Sequence, residues 1–173
     1  MSNKYQDFLF FNPNCENVSF QGVVEKVFDY MTDQPSEFYE IVIGCDSDSN
    51  ERPSFPVVLV ILRKGRGGRF FLTKIRYPED SKKRFFTFRQ RILEEVYLSC
   101  EMALGFRDSI KERVGKSPLK LNYQFQYVHA DVGQNGPTKD MIKEVVGLIK
   151  SNGFEAKIKP ESFAASIIAD RFT

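Results

Sequence analysis

The order of apolar runs constrains this chain most. Between Phe38 and Tyr77 three β-rich runs follow one another with only short breaks: 38–45, 57–62 and 69–77. Strands joined this tightly are antiparallel neighbours. From Phe86 onward the pattern changes. A long stretch with helical spacing, Phe86 to about Arg113, carries Ile92, Leu93, Val96, Cys100, Ala103 and Leu104 on one stripe. A strand is predicted over 120–128, a helix over 138–152 ending near Gly153, and a short strand over 154–158. Pro160 opens a helix of small residues that runs to the end. Strands reached through helices lie parallel to the first. The expected fold is therefore α/β: one mixed five-stranded sheet, three antiparallel strands and then parallel ones, with helices on both faces.

Ahead of this pattern, residues 8–11 read as an edge strand or strap. Residues 19–31 read as a helix capped by Ser19, with Phe20, Val23, Val24, Val27, Phe28 and Met31 recurring on one side. Residues 1–36 are expected to pack on the domain formed by 37–173. A length of 173 residues suits a single domain.

Composition then removes several classes of chemistry. No apolar run reaches the roughly 18 residues of a membrane span. The first residues lack the charged and apolar regions of a secretion signal. The three cysteines, Cys15, Cys45 and Cys100, are odd in number and far apart, so they write no disulfide framework or zinc knuckle. A single histidine, His129, rules out sites that need two. The expected setting is the reducing cytoplasm.

Net charge is only +2, yet the charges are segregated. Residues 63–91 hold eleven basic residues and two acids. Among them, Arg63, Lys64, Arg66, Arg69, Lys74 and Arg76 are candidate contacts to a polyanion, with nucleic acid as the expected partner. The hairpin and the start of the long helix are expected to form one positive surface beside the acidic site. Gly65-Arg66-Gly67-Gly68 lacks the Lys-Ser/Thr of a phosphate-binding P-loop and reads as the hairpin turn.

Two acids stand where strands end. Asp46 closes the first long strand, in Gly44-Cys45-Asp46-Ser47, and Asp131 closes the fourth, in His129-Ala130-Asp131. In this topology those strands are neighbours, so the carboxylates should meet. Two close carboxylates repel unless a cation holds them. All-oxygen ligands favour magnesium, manganese or calcium. Glu94 and Glu95 flank the apolar stripe of the long helix almost symmetrically, so periodicity leaves the choice open. Asp170 sits among the small residues of the last helix. Asp48 is an extra acid beside the first strand end, and Asp48 and Asp140 also suit turn caps. His129 shares a strand face with Asp131 and suits proton transfer, phosphate binding when charged, or a structural role. Lys159 and Ser162 lie near the end of the sequence, where Lys159 suits contact with a phosphate.

These residues carry a resemblance. Ile43-Gly44-Cys45-Asp46-Ser47, Glu95-Val96 with Ser99, and His129-Ala130-Asp131-Val132-Gly133 with Thr138 are similar to the YkuK-like family of small bacterial proteins in the ribonuclease H-like superfamily. The longest match is Ile158-Lys159-Pro160-Glu161-Ser162-Phe163-Ala164-Ala165-Ser166, followed by Ala169-Asp170-Arg171. Cys45 stands where the family usually has Thr, and Asp48 where it usually has Gln. The resemblance implies a ribonuclease H-like sheet. It also implies a two-ion site for Mg²⁺ or Mn²⁺ held by Asp46, Glu95, Asp131 and Asp170, with these four as the catalytic residues. Glu95 is chosen over Glu94 on that ground. The expected activity is metal-dependent hydrolysis of nucleic acid. The alternative is a non-catalytic nucleic-acid-binding protein that retains the fold.

Overall fold

The computed structural model describes residues 5 and 7–173. Three long strands form the middle of a mixed sheet. β3 (Phe38–Cys45) pairs antiparallel with β4 (Phe55–Arg63), which pairs antiparallel with β5 (Gly68–Ile75). β6 (Asn122–His129) lies parallel to β3 on its other side, and β7 (Glu155–Lys157) lies parallel to β6. The long helix α2 (Phe88–Gly115) connects β5 to β6, and α3 (Ile142–Ser151) connects β6 to β7.

Among the described residues the sheet has seven strands rather than five, in the order β2-β1-β5-β4-β3-β6-β7. The two extra strands are an N-terminal hairpin, β1 (Leu9–Asn12) and β2 (Cys15–Ser19), joined to β5 through the Phe11–Leu72 pair. β2 has no apolar alternation to announce it. Pairing with β1, not side-chain pattern, makes it a strand. The run over residues 8–11, read as an edge strand or strap, is therefore a strand of the sheet. Helix α1 (Phe20–Thr32) follows at once, with Ser19 Oγ accepting the Gly22 amide.

Strand alternation sends side chains to two faces. Ile41, Ile43, Cys45, Val57, Leu59 and Ile61 join α1, α2 and α3 in the main core. Val42, Val58, Val60 and Leu72 point the other way, where the C-terminal segment covers them with Ala164 and Ala169. That segment is not the regular helix expected from Pro160. The Lys159 amide bonds to the Val132 carbonyl, and Glu161 turns back on Ile158. Helical structure starts only at Ala164, as a π-helical turn over Ala164–Ala169 and a 3-10 turn over Asp170–Phe172. Likewise the helix expected from Thr138 begins as a 3-10 turn, Lys139–Met141, because Thr138 Oγ1 is engaged by the Gly133 amide.

Gly44 sets how closely that segment approaches β3. A Cβ there would stand 2.7 Å from the Ala165 backbone nitrogen and 3.1 Å from the Ala164 carbonyl carbon. Only glycine lets the two backbones meet, and this contact brings the end of the chain beside the carboxyl end of β3. Among the described residues, no helix is long and apolar enough to cross a membrane.

Candidate acidic site at the strand ends

The parallel pairing of β3 and β6 puts their carboxyl ends side by side, with Gly44 opposite His129. Asp46 and Asp131 follow directly. Both line a cleft of about 150 Å³ that they share with Ser47, Arg91, Glu95 and Thr138. The sheet brings the two aspartates together and α2 lays Glu95 against them.

α2 also decides between the two glutamates. The buried side of the helix includes Glu95, Val96, Leu98, Ser99 and Met102. Glu95 is only 6% exposed and its Oε1 accepts a 2.5 Å hydrogen bond from Ser47 Oγ. Glu94 looks elsewhere: it accepts from the Tyr77 hydroxyl and pairs with Lys83 Nζ at 2.7 Å. The stripe read from sequence was too narrow to separate them, since α2 buries residues on more than one side.

The electrostatics are those of acids held together without enough positive charge. Burial pushes Glu95 up to about 8, opposed by the Ser47 hydroxyl and reinforced by Asp46 and Asp131. Asp46 is raised to about 7, first by burial, then by Asp131 and Asp170, against a backbone hydrogen bond from Ser47. Asp170, on the C-terminal turn, lies near enough to Asp46 to help raise it. The fourth acid is thus beside the first.

Asp131 is held differently. Its Oδ2 pairs with Lys159 Nζ at 3.0 Å, while its Oδ1 is buried with no hydrogen-bond partner among the described residues. Lys159 is placed by the amide bond to Val132 and by packing over Gly133, whose Cα faces the Lys159 stem. Lys159 belongs to the site.

Among the described residues, no three His, Cys, Asp or Glu side chains close into a ready cation cage. The carboxylates are engaged one by one instead: Glu95 with Ser47, Asp131 with Lys159, Asp46 with Asp170. The donor set nevertheless fits a hard divalent ion. It is all oxygen, two members are protonation-prone through burial and neighbouring carboxylates, and Asp131 Oδ1 is a buried acceptor with no donor among the described residues.

Other candidates take structural places. Asp48 caps its own loop by accepting the Asn50 and Ser54 amides. His129 is 1% exposed and its Nδ1 accepts the Ala164 amide. Its ring meets Phe163 edge-on, and burial, helped by Lys157, drives it down to about 3. It stays neutral at working pH, so a phosphate-binding charged form is not available. It fastens the C-terminal segment to β6.

The basic residues do not form the single surface expected. Arg63 pairs with Tyr39 at the start of β3, so the β4–β5 turn lies at the end of the sheet opposite Asp46. At about 3.3 Å per strand residue, the separation is roughly 20 Å. Arg63 there bonds to Tyr39 and Asp33, Arg66 pairs with Glu37, and Arg69 stacks on Tyr30. Exposed Lys64 is in the same turn. Only Lys74 and Arg76, at the far end of β5, return to the Asp46 side. A hairpin as long as the sheet necessarily separates residues that are close in sequence.

Ser47 and Arg91 were not singled out in sequence. Ser47 bonds to Glu95, and Arg91, one turn before it on α2, lines the cleft and favours the charged carboxylate. The placement of Ser47 right after a strand-end aspartate was the available signal.

The ribonuclease H-like family model matches residues 22–173. The chain belongs to the ribonuclease H-like family. It is also 32% identical over 172 residues to the uncharacterized protein YkuK of Bacillus subtilis (strain 168), covering 96% of this chain and 97% of that protein. No solved structure matches it significantly. The matched region includes the three acids of the cleft, Asp46, Glu95 and Asp131, and Asp170 beside them.

Proposed function

We propose that this protein is a divalent-metal-dependent phosphodiesterase acting on nucleic acid. The observation that carries the reading is the gathering of Asp46, Glu95 and Asp131 in one cleft at the strand ends, with Asp170 next to Asp46. The desolvation raising Asp46 and Glu95 is a standing cost, and a cation would remove it. Membership of the ribonuclease H-like family supports the same chemistry.

These four side chains would hold Mg²⁺ or Mn²⁺. Bound there, the ions would supply Lewis acidity toward a phosphodiester and lower the pKa of water. The chain's own residues do the rest. Ser47 fixes the Glu95 carboxylate by its hydrogen bond. Lys159, half exposed beside Asp131, can leave that carboxylate and pair with a phosphate oxygen. Arg91 places a second cation at the cleft wall. His129 takes no part, since it is buried and neutral.

The test is cleavage of labelled single-stranded, duplex and hybrid oligonucleotides with Mn²⁺ or Mg²⁺, against chelator. Wild type should cleave at least one. Asp46→Asn should bring turnover to background while the thermal melt shows an intact fold. Cleavage that survives Asp46→Asn would refute the reading. Metal and nucleic-acid binding with no cleavage of any substrate would favour the non-catalytic alternative.

A further inference from the structure

Residues 82–91 read Lys-Lys-Arg-Phe-Phe-Thr-Phe-Arg-Gln-Arg, three phenylalanines among five cations with no acid. The structure sends the phenylalanines to different places. Phe85 is buried, with its ring 5.1 Å from Phe55 and 6.0 Å from Tyr77. Phe86 and Phe88 face out, 71% and 44% exposed. They are not loosely held. The buried Phe85 anchors one side, and the capping box of α2 fixes the other: Gln90 Oε1 accepts the Phe86 and Thr87 amides at 2.8 and 3.1 Å, and Thr87 Oγ1 accepts the Gln90 amide. Phe88 also lines the cleft that contains Asp46, Glu95 and Asp131.

Two apolar rings are thus left facing solvent on a rigid mount, at the expense of the burial that would stabilise the fold. The cations around them narrow what would cover the rings. Lys83, Arg84 and Arg89 are paired at the surface with Glu94, Glu51 and Glu144. Lys82 is exposed and Arg91 lines the cleft. A partner that is apolar throughout would cover Lys82 and Arg91 without supplying an anion to either. A nucleic-acid duplex satisfies the charges but hides its base faces inside the stack. An unpaired strand offers both a phosphate for Lys82 and Arg91 and a free π face for each ring.

We propose that Phe88, in the wall of the acidic cleft, and Phe86, exposed two residues before it, are a stacking platform for unpaired nucleobases, so that the strand entering the site is single-stranded there. The identity of the polyanion rests on the proposed function; the platform adds the substrate class. Stacking on a bare ring asks for no particular base, so recognition is tolerant of sequence.

The experiment is fluorescence anisotropy on the full chain in chelator, with four labelled oligomers of one length: single-stranded DNA, single-stranded RNA, duplex DNA and an abasic DNA backbone. At least one single strand should bind about ten-fold tighter than duplex and abasic backbone. Phe86→Ala and Phe88→Ala should each weaken that binding about 5- to 100-fold, leaving abasic binding and the salt dependence unchanged. Both sites are solvent-facing, and unchanged melting curves would certify the fold. Phe86→Leu separates ring from bulk: it should behave like Phe86→Ala. Equal binding of abasic and single-stranded oligomers, wild-type binding by the Ala variants, rescue by Leu, or no binding of any oligomer would overturn the platform. Its fate is separable from that of the hydrolytic reading. Single-strand preference without cleavage in Mn²⁺ leaves the platform standing, and cleavage without base dependence in binding removes it.

Discussion

Lys159 Nζ lies 3.0 Å from Asp131 Oδ2, on the same carboxylate whose other oxygen is buried without a partner among the described residues. The ammonium supplies positive charge at the point where the acids crowd. It therefore competes with any ion that Asp131 would help to hold. Lys159→Ala should tighten Mn²⁺ binding several-fold by calorimetry at neutral pH. The metal-free variant should lose no more than about 1 kcal/mol of stability, because the pair is half exposed and solvent-screened. Weaker Mn²⁺ binding in Lys159→Ala would mean that the lysine organises Asp131 and does not compete for it.

Glu95 gives a pH signature. Its carboxyl moves from an ordinary 4.5 to about 8 on folding, chiefly through burial. Between these values the folded state binds more protons than the unfolded state, so stability falls as pH rises. Below about 4.5 both states are protonated and the penalty is absent; above about 8 it is complete. Glu95→Gln, which cannot ionise, should lack this penalty. Its melting temperature relative to wild type should climb from pH 5 to pH 9 in chelator. Metal must displace the same proton, so Mn²⁺ affinity of wild type should rise with pH up to about 8. A constant Tm difference across the range would show that Glu95 is already ionised in the folded protein.

Asp46 and Asp131 were legible because a strand end is a position that sequence can mark: an apolar run stops and an acid follows. Neighbouring strands then follow from the order of turns and helices. Glu95 was not separable from Glu94 by periodicity, since what distinguishes them is a long-range partner, Ser47 for one and Tyr77 with Lys83 for the other. The β1–β2 hairpin was only half visible for a similar reason. Leu9-Phe10-Phe11 shows an apolar run, whereas Cys15–Ser19 is a strand by virtue of its pairing. Charge density was misleading in space because it was read along the chain. Arg66 and Arg76 are ten positions apart in number, yet they stand at opposite ends of β5.

The approach of the C-terminal segment to β3 links fold to site. Gly44→Ala would place a methyl group 2.7 Å from the Ala165 nitrogen, against backbone that cannot step aside cheaply. Overpacking of this kind costs about 1–3 kcal/mol. The segment also carries Asp170 to Asp46. Gly44→Ala should therefore lower stability in denaturant melts and weaken Mn²⁺ binding together. Gly147→Ala is the control, since a Cβ there meets nothing within 4 Å and α3 should gain slightly from the exchange. If Gly44→Ala loses stability yet binds metal like wild type, Asp170 has no part in the ion site.

Sheet polarity makes a prediction about salt. Arg66 and Arg69 stand at the end of the sheet away from Asp46, engaged with Glu37 and Tyr30. Lys74 and Arg76 stand at the near end and are exposed. A strand seated at the acidic cleft should be touched by the second pair and not the first. Each phosphate neutralised contributes roughly 0.7–0.9 to the slope of log affinity against log salt. Lys74→Ala with Arg76→Ala should thus reduce that slope by about 1.4–1.8 and weaken binding to all sequences alike. Arg66→Ala with Arg69→Ala should leave the slope as it is, with at most a small loss of stability from the lost stacking on Tyr30. The reverse result, a slope that falls only with the Arg66 and Arg69 pair, would place the nucleic acid at the far end of the sheet and separate its binding from the acidic cleft.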